Sequence, residues 1–173
     1  MSLYTGLDFF LILLIAMLPP VVLGLRGKNL RVCGLAVTAV MLLLIFDTWH
    51  SRALLLAFWA WQSLLIFGYL RLRRRTAQRR LLWLMLLLSL VPLLLVKLSL
   101  WVEPLRVLSM LGVSYMSFRA VQILIEIYDG YLTELDFADV SYFILFFPSS
   151  SSGPLDRYRR FIADVHRTYT AEE

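Results

Sequence analysis

Long apolar runs separated by short polar breaks dominate the first part of the chain: Leu7 to Leu25, Val32 to Phe46, Ala53 to Leu70 and Leu81 to Leu100. Each approaches the about 20 apolar residues that a helix needs to cross a hydrocarbon core of about 30 Å. The pattern therefore predicts an all-α, polytopic membrane protein with about four spanning helices. The second run is short unless it extends through Thr48 and Trp49. Pro19 and Pro20 each remove a backbone donor and are expected to kink or end the first helix just before Arg26. Trp49, Trp83 and Trp101 fall near helix ends, as interfacial anchors do, whereas Trp59 and Trp61 lie deeper and read as packing residues. No basic residue precedes the first run, so it is expected to stay in the membrane rather than be cleaved as a signal peptide.

Beyond this part the pattern changes, dividing the chain into a spanning region, 1–104, and a region of polar-striped helices, 105–173. Tyr115, Arg119, Gln122, Glu126 and Asp129 recur at spacings of four, three, four and three, which puts them on one helical face. Val121, Ile123, Leu124, Ile125 and Ile127 cover the remainder. Ionisable groups at membrane depth cost several kcal/mol, so the stripe turns toward protein, a cavity or its own members. Arg119 and Glu126 are too far apart along a helix for an ideal direct pair, with Gln122 between them. Two accounts fit the stripe: a buried polar network that fixes helix packing, and the wall of a substrate path or reaction chamber. Gly130, following Asp129, is expected to end this helix. Ser114 and Ser117 lack a neighbouring histidine base and are not read as nucleophiles.

Phe137 to Phe147 is apolar apart from Asp139 and too short to span, which predicts a tilted or re-entrant segment buried against protein. It gives way at Pro148 to the serine run 149–152 and Gly153-Pro154. Ser152 suits a helix cap and Pro154 the first turn of the helix that follows. On that helix Leu155, Tyr158, Phe161, Ile162, Val165 and Tyr169 form an apolar face. Asp156, Arg157, Arg159, Arg160, Asp164 and Arg167 form the polar one, as in an amphipathic helix lying at a membrane interface. The serine run has neither the spacing nor the lysine of a nucleotide-binding P-loop.

Composition supports lipid as the solvent: 60% of the 173 residues are hydrophobic, more than a globule of this size can bury. Seventeen Lys and Arg against twelve Asp and Glu leave a charge of +5. The basic residues fall between apolar runs, so they read as topology signals and not as a nucleic-acid surface. Loops 26–31 and 71–80 carry Arg26, Lys28 and Arg31, then Arg71, Arg73, Arg74, Arg75, Arg79 and Arg80. The positive-inside rule makes both loops cytoplasmic and the N-terminus external. The 71–80 cluster is read chiefly as an anchor; the sharper reading is a docking surface for anionic lipid or an acidic partner. The lone Cys33 makes no intrachain disulfide, no Cys/His cluster has metal-ligand spacing, and neither His50 nor His166 has a companion that would make it a general base.

The elements Gly112-Val113-Ser114-Tyr115, Phe118-Arg119, Glu126 to Gly130 and Ser152-Gly153-Pro154-Leu155-Asp156-Arg157 resemble the membrane-bound O-acyltransferase superfamily, and within it the subgroup that D-alanylates teichoic acids. Val91 to Lys97 fits more loosely. The resemblance implies a bacterial plasma-membrane acyltransferase that takes D-alanine from the phosphopantetheine thioester of a carrier protein and passes it toward teichoic acid. It implies no bound cofactor and no metal.

The superfamily's signature histidine lies in a C-terminal half that has no counterpart here. The chain is accordingly expected to be the N-terminal part, inactive alone, with a separately supplied C-terminal half as partner. The resemblance carries over no catalytic residue. Arg119, Glu126, Asp129, Asp156 and Arg157 enter only as structural or chamber-lining candidates, together with Tyr115 and Gln122 of the stripe. Two other classes stay open: part of a polysaccharide O-acetyltransferase of the alginate type, and a non-enzymatic scaffold or transporter piece.

Overall fold

A computed structural model describes residues 7–25, 31–76, 78–99, 112–149 and 156–167. Among them every regular element is helical: α1 (Leu7–Leu25), α2 (Arg31–Ile45), α3 (Trp49–Arg73), α4 (Arg79–Leu98), α5 (Val113–Tyr128), α6 (Phe137–Leu145) and α7 (Tyr158–His166), with a 3-10 turn at Phe147–Ser149. The all-α architecture thus follows the hydropathy pattern. α3 and α4 are long and apolar enough to cross a bilayer, and α1 and α2 contribute shorter apolar stretches. Two of the four expected spans, α3 and α4, are thus in place.

Pro19 and Pro20 do not end the first helix, which runs through both to Leu25. In an apolar medium a helix is the one local conformation that satisfies its own backbone, and this outweighs the lost donors. His50 lies in the first turn of α3, because the Thr48 side chain caps that helix by accepting from Ser51 N at 3.2 Å. The cap at Ser152 and the helical start at Pro154 lie outside the described residues, and α7 begins at Tyr158.

The chain divides into two compact units, 1–47 with 159–173, and 48–158. In the first, α1 packs on α2. α2 buries Gly34, Thr38, Met41 and Leu42 along one face while Val32, Val40 and Leu43 stay exposed. The amphipathic pattern holds within α7, where Val165 is buried and Arg159, Arg160 and Asp164 are exposed.

In the second unit α5 is the central helix, in contact with α3, α4 and α6. α4 buries only Leu82, Met85 and Ser89, and presents Trp83, Leu84, Leu87, Leu94 and Leu98 outward. An apolar exterior of this kind suits lipid or an apolar protein surface, not water. α3 and α4 are clasped by a fully buried reciprocal pair: Gln62 Nε2 donates to the Ser89 carbonyl and Ser89 Oγ donates to Gln62 Oε1, both at 2.8 Å. At one end of the unit, Arg73 donates through Nε (3.3 Å) and Nη2 (3.0 Å) to the Tyr128 carbonyl, joining the C-termini of α3 and α5. At the other end Val113, the first residue of α5, shares a cleft of ≈ 200 Å³ with Leu54, Ala57 and Phe58 of α3 and Pro92, Leu95 and Val96 of α4. α5 consequently runs parallel to α3 and antiparallel to α4.

Candidate functional site

α5 starts from Gly112 in the left-handed region (φ 74°) and ends against Gly130 (φ 80°), conformations that side chains with a Cβ rarely adopt. The termination seals its own carbonyls, since Tyr131 N (3.0 Å) and Leu132 N (3.3 Å) both donate to the Glu126 carbonyl. Between these stops the stripe separates by depth. Arg119 and Glu126 are buried, Tyr115 and Gln122 half-buried, and Asp129 exposed at the helix C-cap.

Arg119 is the focus. Only 3% exposed, it places Nη1 at 3.1 Å from the Phe143 carbonyl, 3.3 Å from that of Ile144 and 3.1 Å from that of Phe146. Two of these carbonyls belong to the last turn of α6 and the third to Phe146, which leaves the helix (ψ 103°). A cation there meets the negative end of the helix dipole. The guanidinium carbon also lies 5.7 Å from the Phe143 ring centroid, within cation–π range. At its other end α6 is capped by Asp136, whose side chain accepts from Ala138 N (2.9 Å) and Asp139 N (3.1 Å). A helix of nine residues is thus held at both ends by charge.

α6 is also fixed laterally. Phe137 packs edge-on against Trp59 at 5.5 Å and lies 5.8 Å from Phe67, both on α3. Trp59 Nε1 donates to Ser141 Oγ at 3.1 Å. Four residues separate Phe137 from Ser141, so α6 descends along α3 from the end that carries Arg73 toward the level of Trp59. Trp61, by contrast, donates to the Leu88 carbonyl of α4 at 2.9 Å.

Gln122 receives the limb that returns. With its nitrogen toward the Asp156 carbonyl (3.0 Å) and its oxygen toward Tyr158 N (3.2 Å), its amide binds both sides of the approach to α7. The opposite orientation offers only a 3.5 Å contact from Nε2 to Glu126 Oε1, at the limit of a hydrogen bond. The Tyr158 ring packs edge-on to Phe143 at 5.3 Å, so the returning limb touches the same turn of α6 that Arg119 holds. Asp156 is half-buried and accepts from Arg157 N at 2.8 Å, while Arg157 is exposed.

Arg119 thus holds the end of α6 and Gln122 the approach to α7, Glu126 is buried further along α5, and Asp129 and Arg157 stay on the surface. Sequence reasoning missed Gln62, Ser89 and Ser141. An amide inside an apolar run was the available signal for the first. The site carries positioning chemistry, a buried cation and oriented amides. The two histidines lie on α3 and α7, not on α5. Among the described residues no group of three or more His, Cys, Asp or Glu side chains gathers to hold a metal.

No protein-family model matches the chain. Individual relatives do. The teichoic acid D-alanyltransferase of Bacillus subtilis (strain 168) is 38% identical over 182 aligned residues, covering 100% of this chain and 46% of that protein. The teichoic acid D-alanyltransferase of Lacticaseibacillus rhamnosus is 34% identical, covering 95% of the chain and 42% of the relative. That of Streptococcus thermophilus is 35% identical, covering 97% and 41%. The chain spans less than half the length of the curated relatives it matches.

Proposed function

The chain belongs with the teichoic acid D-alanyltransferases as a relative of one part of those proteins, and on that premise we propose that it is the N-terminal portion of a membrane acyltransferase that moves D-alanine from a carrier-protein thioester toward teichoic acid. The donor in this reading is a phosphopantetheine thioester. The carrier protein and the remaining part of the transferase are its partners, and residues 105–173 begin the acyltransferase core. Loops 26–31 and 71–80 face the cytoplasm and the N-terminus faces outward, in a bacterial plasma membrane. The parallel course of α3 and α5 fits that orientation, because it puts the start of α6 on the side from which a cytoplasmic donor arrives.

One observation carries the reading beyond kinship: a buried arginine fixes the end of a helix that is too short to cross a membrane. Burying a guanidinium against carbonyls is an expensive way to pack helices, when apolar side chains would serve at lower cost. It becomes useful where irregular backbone must be held at membrane depth beside a polar chamber. In this role Tyr115, Arg119, Gln122 and Glu126 form and brace one wall, with Asp129, Asp156 and Arg157 at its rim. The wall orients substrate and excludes lipid, and the reacting groups come from the rest of the transferase. Neither the O-acetylation nor the scaffold alternative is favoured, since the relatives found share the D-alanyltransferase name.

The test is a chimaera. The chain replaces the matching segment of the Bacillus subtilis protein in a strain lacking its own, and D-alanyl esters on teichoic acid are measured. Restored esters are expected. A chimaera that inserts at normal levels yet yields no ester would remove the support for this reading.

A further inference from the structure

Arg71, Arg73, Arg74, Arg75, Arg79 and Arg80 crowd the ends of α3 and α4. No hydrogen bond or ion pair joins any of them to a carboxylate among the described residues. Anchoring alone asks only that such charges reach water, and Arg71, Arg74, Arg75, Arg79 and Arg80 are exposed as that role requires. Arg73 and Arg74 also bind backbone of the α5–α6 connection. Arg73 is half-buried, bound through Nε and Nη2 to the Tyr128 carbonyl and stacked at 5.5 Å from the Tyr128 ring centroid. Arg74 donates through Nη2 to the Thr133 carbonyl at 3.1 Å. Backbone carbonyls orient these guanidiniums without neutralising them, and each keeps donors in hand, because a guanidinium has five. Between them opens a cleft of ≈ 200 Å³ lined also by Leu70, Gly130, Leu132 and Thr133.

Three properties converge at this cleft. It holds two pre-positioned cations of the planar, forked kind that matches phosphate oxygens. It has an apolar side, Leu70 and Leu132. It also lies at the terminus of helices apolar enough to span, and so at the level of lipid headgroups. Asp129, Glu134 and Asp136 are near in sequence to its far wall, but Asp129 and Glu134 are exposed and Asp136 is committed to the α6 cap. We propose that the cleft between the C-terminal ends of α3 and α5 binds the phosphodiester headgroup of an anionic membrane lipid through Arg73 and Arg74. A lipid bound there braces the turn that leads into α6. The inference needs α3 and α4 to span, and stands apart from the D-alanyl transfer reading.

The test uses the chain in nanodiscs of phosphatidylcholine containing phosphatidylglycerol as a minor component, with lipids retained through stringent washing quantified by mass spectrometry. Two double variants remove equal charge: Arg73→Gln with Arg74→Gln, and Arg79→Gln with Arg80→Gln. Helicity by circular dichroism identifies any variant that has lost its fold, and the charge-preserving pair Arg73→Lys with Arg74→Lys replaces it if needed. The expected result is enrichment of phosphatidylglycerol by the parent chain, lost by about fivefold or more in the first variant and changed little in the second. Equal losses in both would reduce the arginines to a diffuse positive field and overturn the site. Displacement of the lipid by low millimolar inorganic phosphate would assign the cleft to a soluble anion. Capture of an acidic protein domain without lipid enrichment would assign it to a protein partner. Either of these also overturns the proposal.

Discussion

The α3–α4 hairpin and the α5–α6 pair face the same difficulty, polar groups where water is scarce, and resolve it differently. In the hairpin Gln62 and Ser89 satisfy one another by two neutral hydrogen bonds at 2.8 Å, and the rest of α4 turns apolar surface outward. In the pair, one cation serves three carbonyls from a segment more than twenty residues away, and an amide secures the limb that returns. A neutral pair is inexpensive helix glue. A buried guanidinium is costly, and here it holds the end of a short helix. In the proposed function this difference separates membrane scaffold from working part.

Breaking the α6 anchor gives the largest expected effect. Arg119→Leu removes the guanidinium from the Phe143, Ile144 and Phe146 carbonyls and should destabilise the second unit by about 3 kcal/mol or more, read as a shifted denaturant midpoint in bicelles. Arg119→Lys keeps the charge but not the planar fork and should fall between parent and Leu. Gly130→Val forces a β-branched residue to φ near 80° and should cost about 1–2 kcal/mol in the same assay. Gln62→Leu should cost about 1 kcal/mol, and the double variant Gln62→Leu/Ser89→Ala should recover part of that loss, since both partners are then apolar. A double-mutant cycle measures that recovery. Trp59→Phe keeps the ring contact with Phe137 and loses only the bond to Ser141, for about 0.6 kcal/mol.

Much of the helical pattern was legible in the chain, because hydropathy acts locally: α1 matches its apolar run at both ends and α2 begins and ends within a residue of its own. α3 is longer than its run, because a cap at Thr48 and arginines that remain helical extend it at both ends. The stripe on α5 was legible for the same reason, as a matter of helical spacing. Its partners were not. Arg119 binds backbone, which has no side-chain signature, and the segment supplying it is distant in sequence. The short apolar run ending before Pro148 did carry a clue, since a helix that stops at membrane depth needs donors for its last carbonyls. The proline pair did not end α1, because the penalty for breaking a helix in lipid exceeds the penalty for missing donors.

The most direct measurement compares Arg119→Leu with Gln62→Leu in the Bacillus subtilis chimaera, at matched membrane levels, by the D-alanyl ester content of teichoic acid. If the α5–α6 array is the working wall, Arg119→Leu abolishes esterification while Gln62→Leu leaves most of it. Ester at the parent level in an inserted Arg119→Leu chimaera would contradict the account and make the stripe a packing device alone.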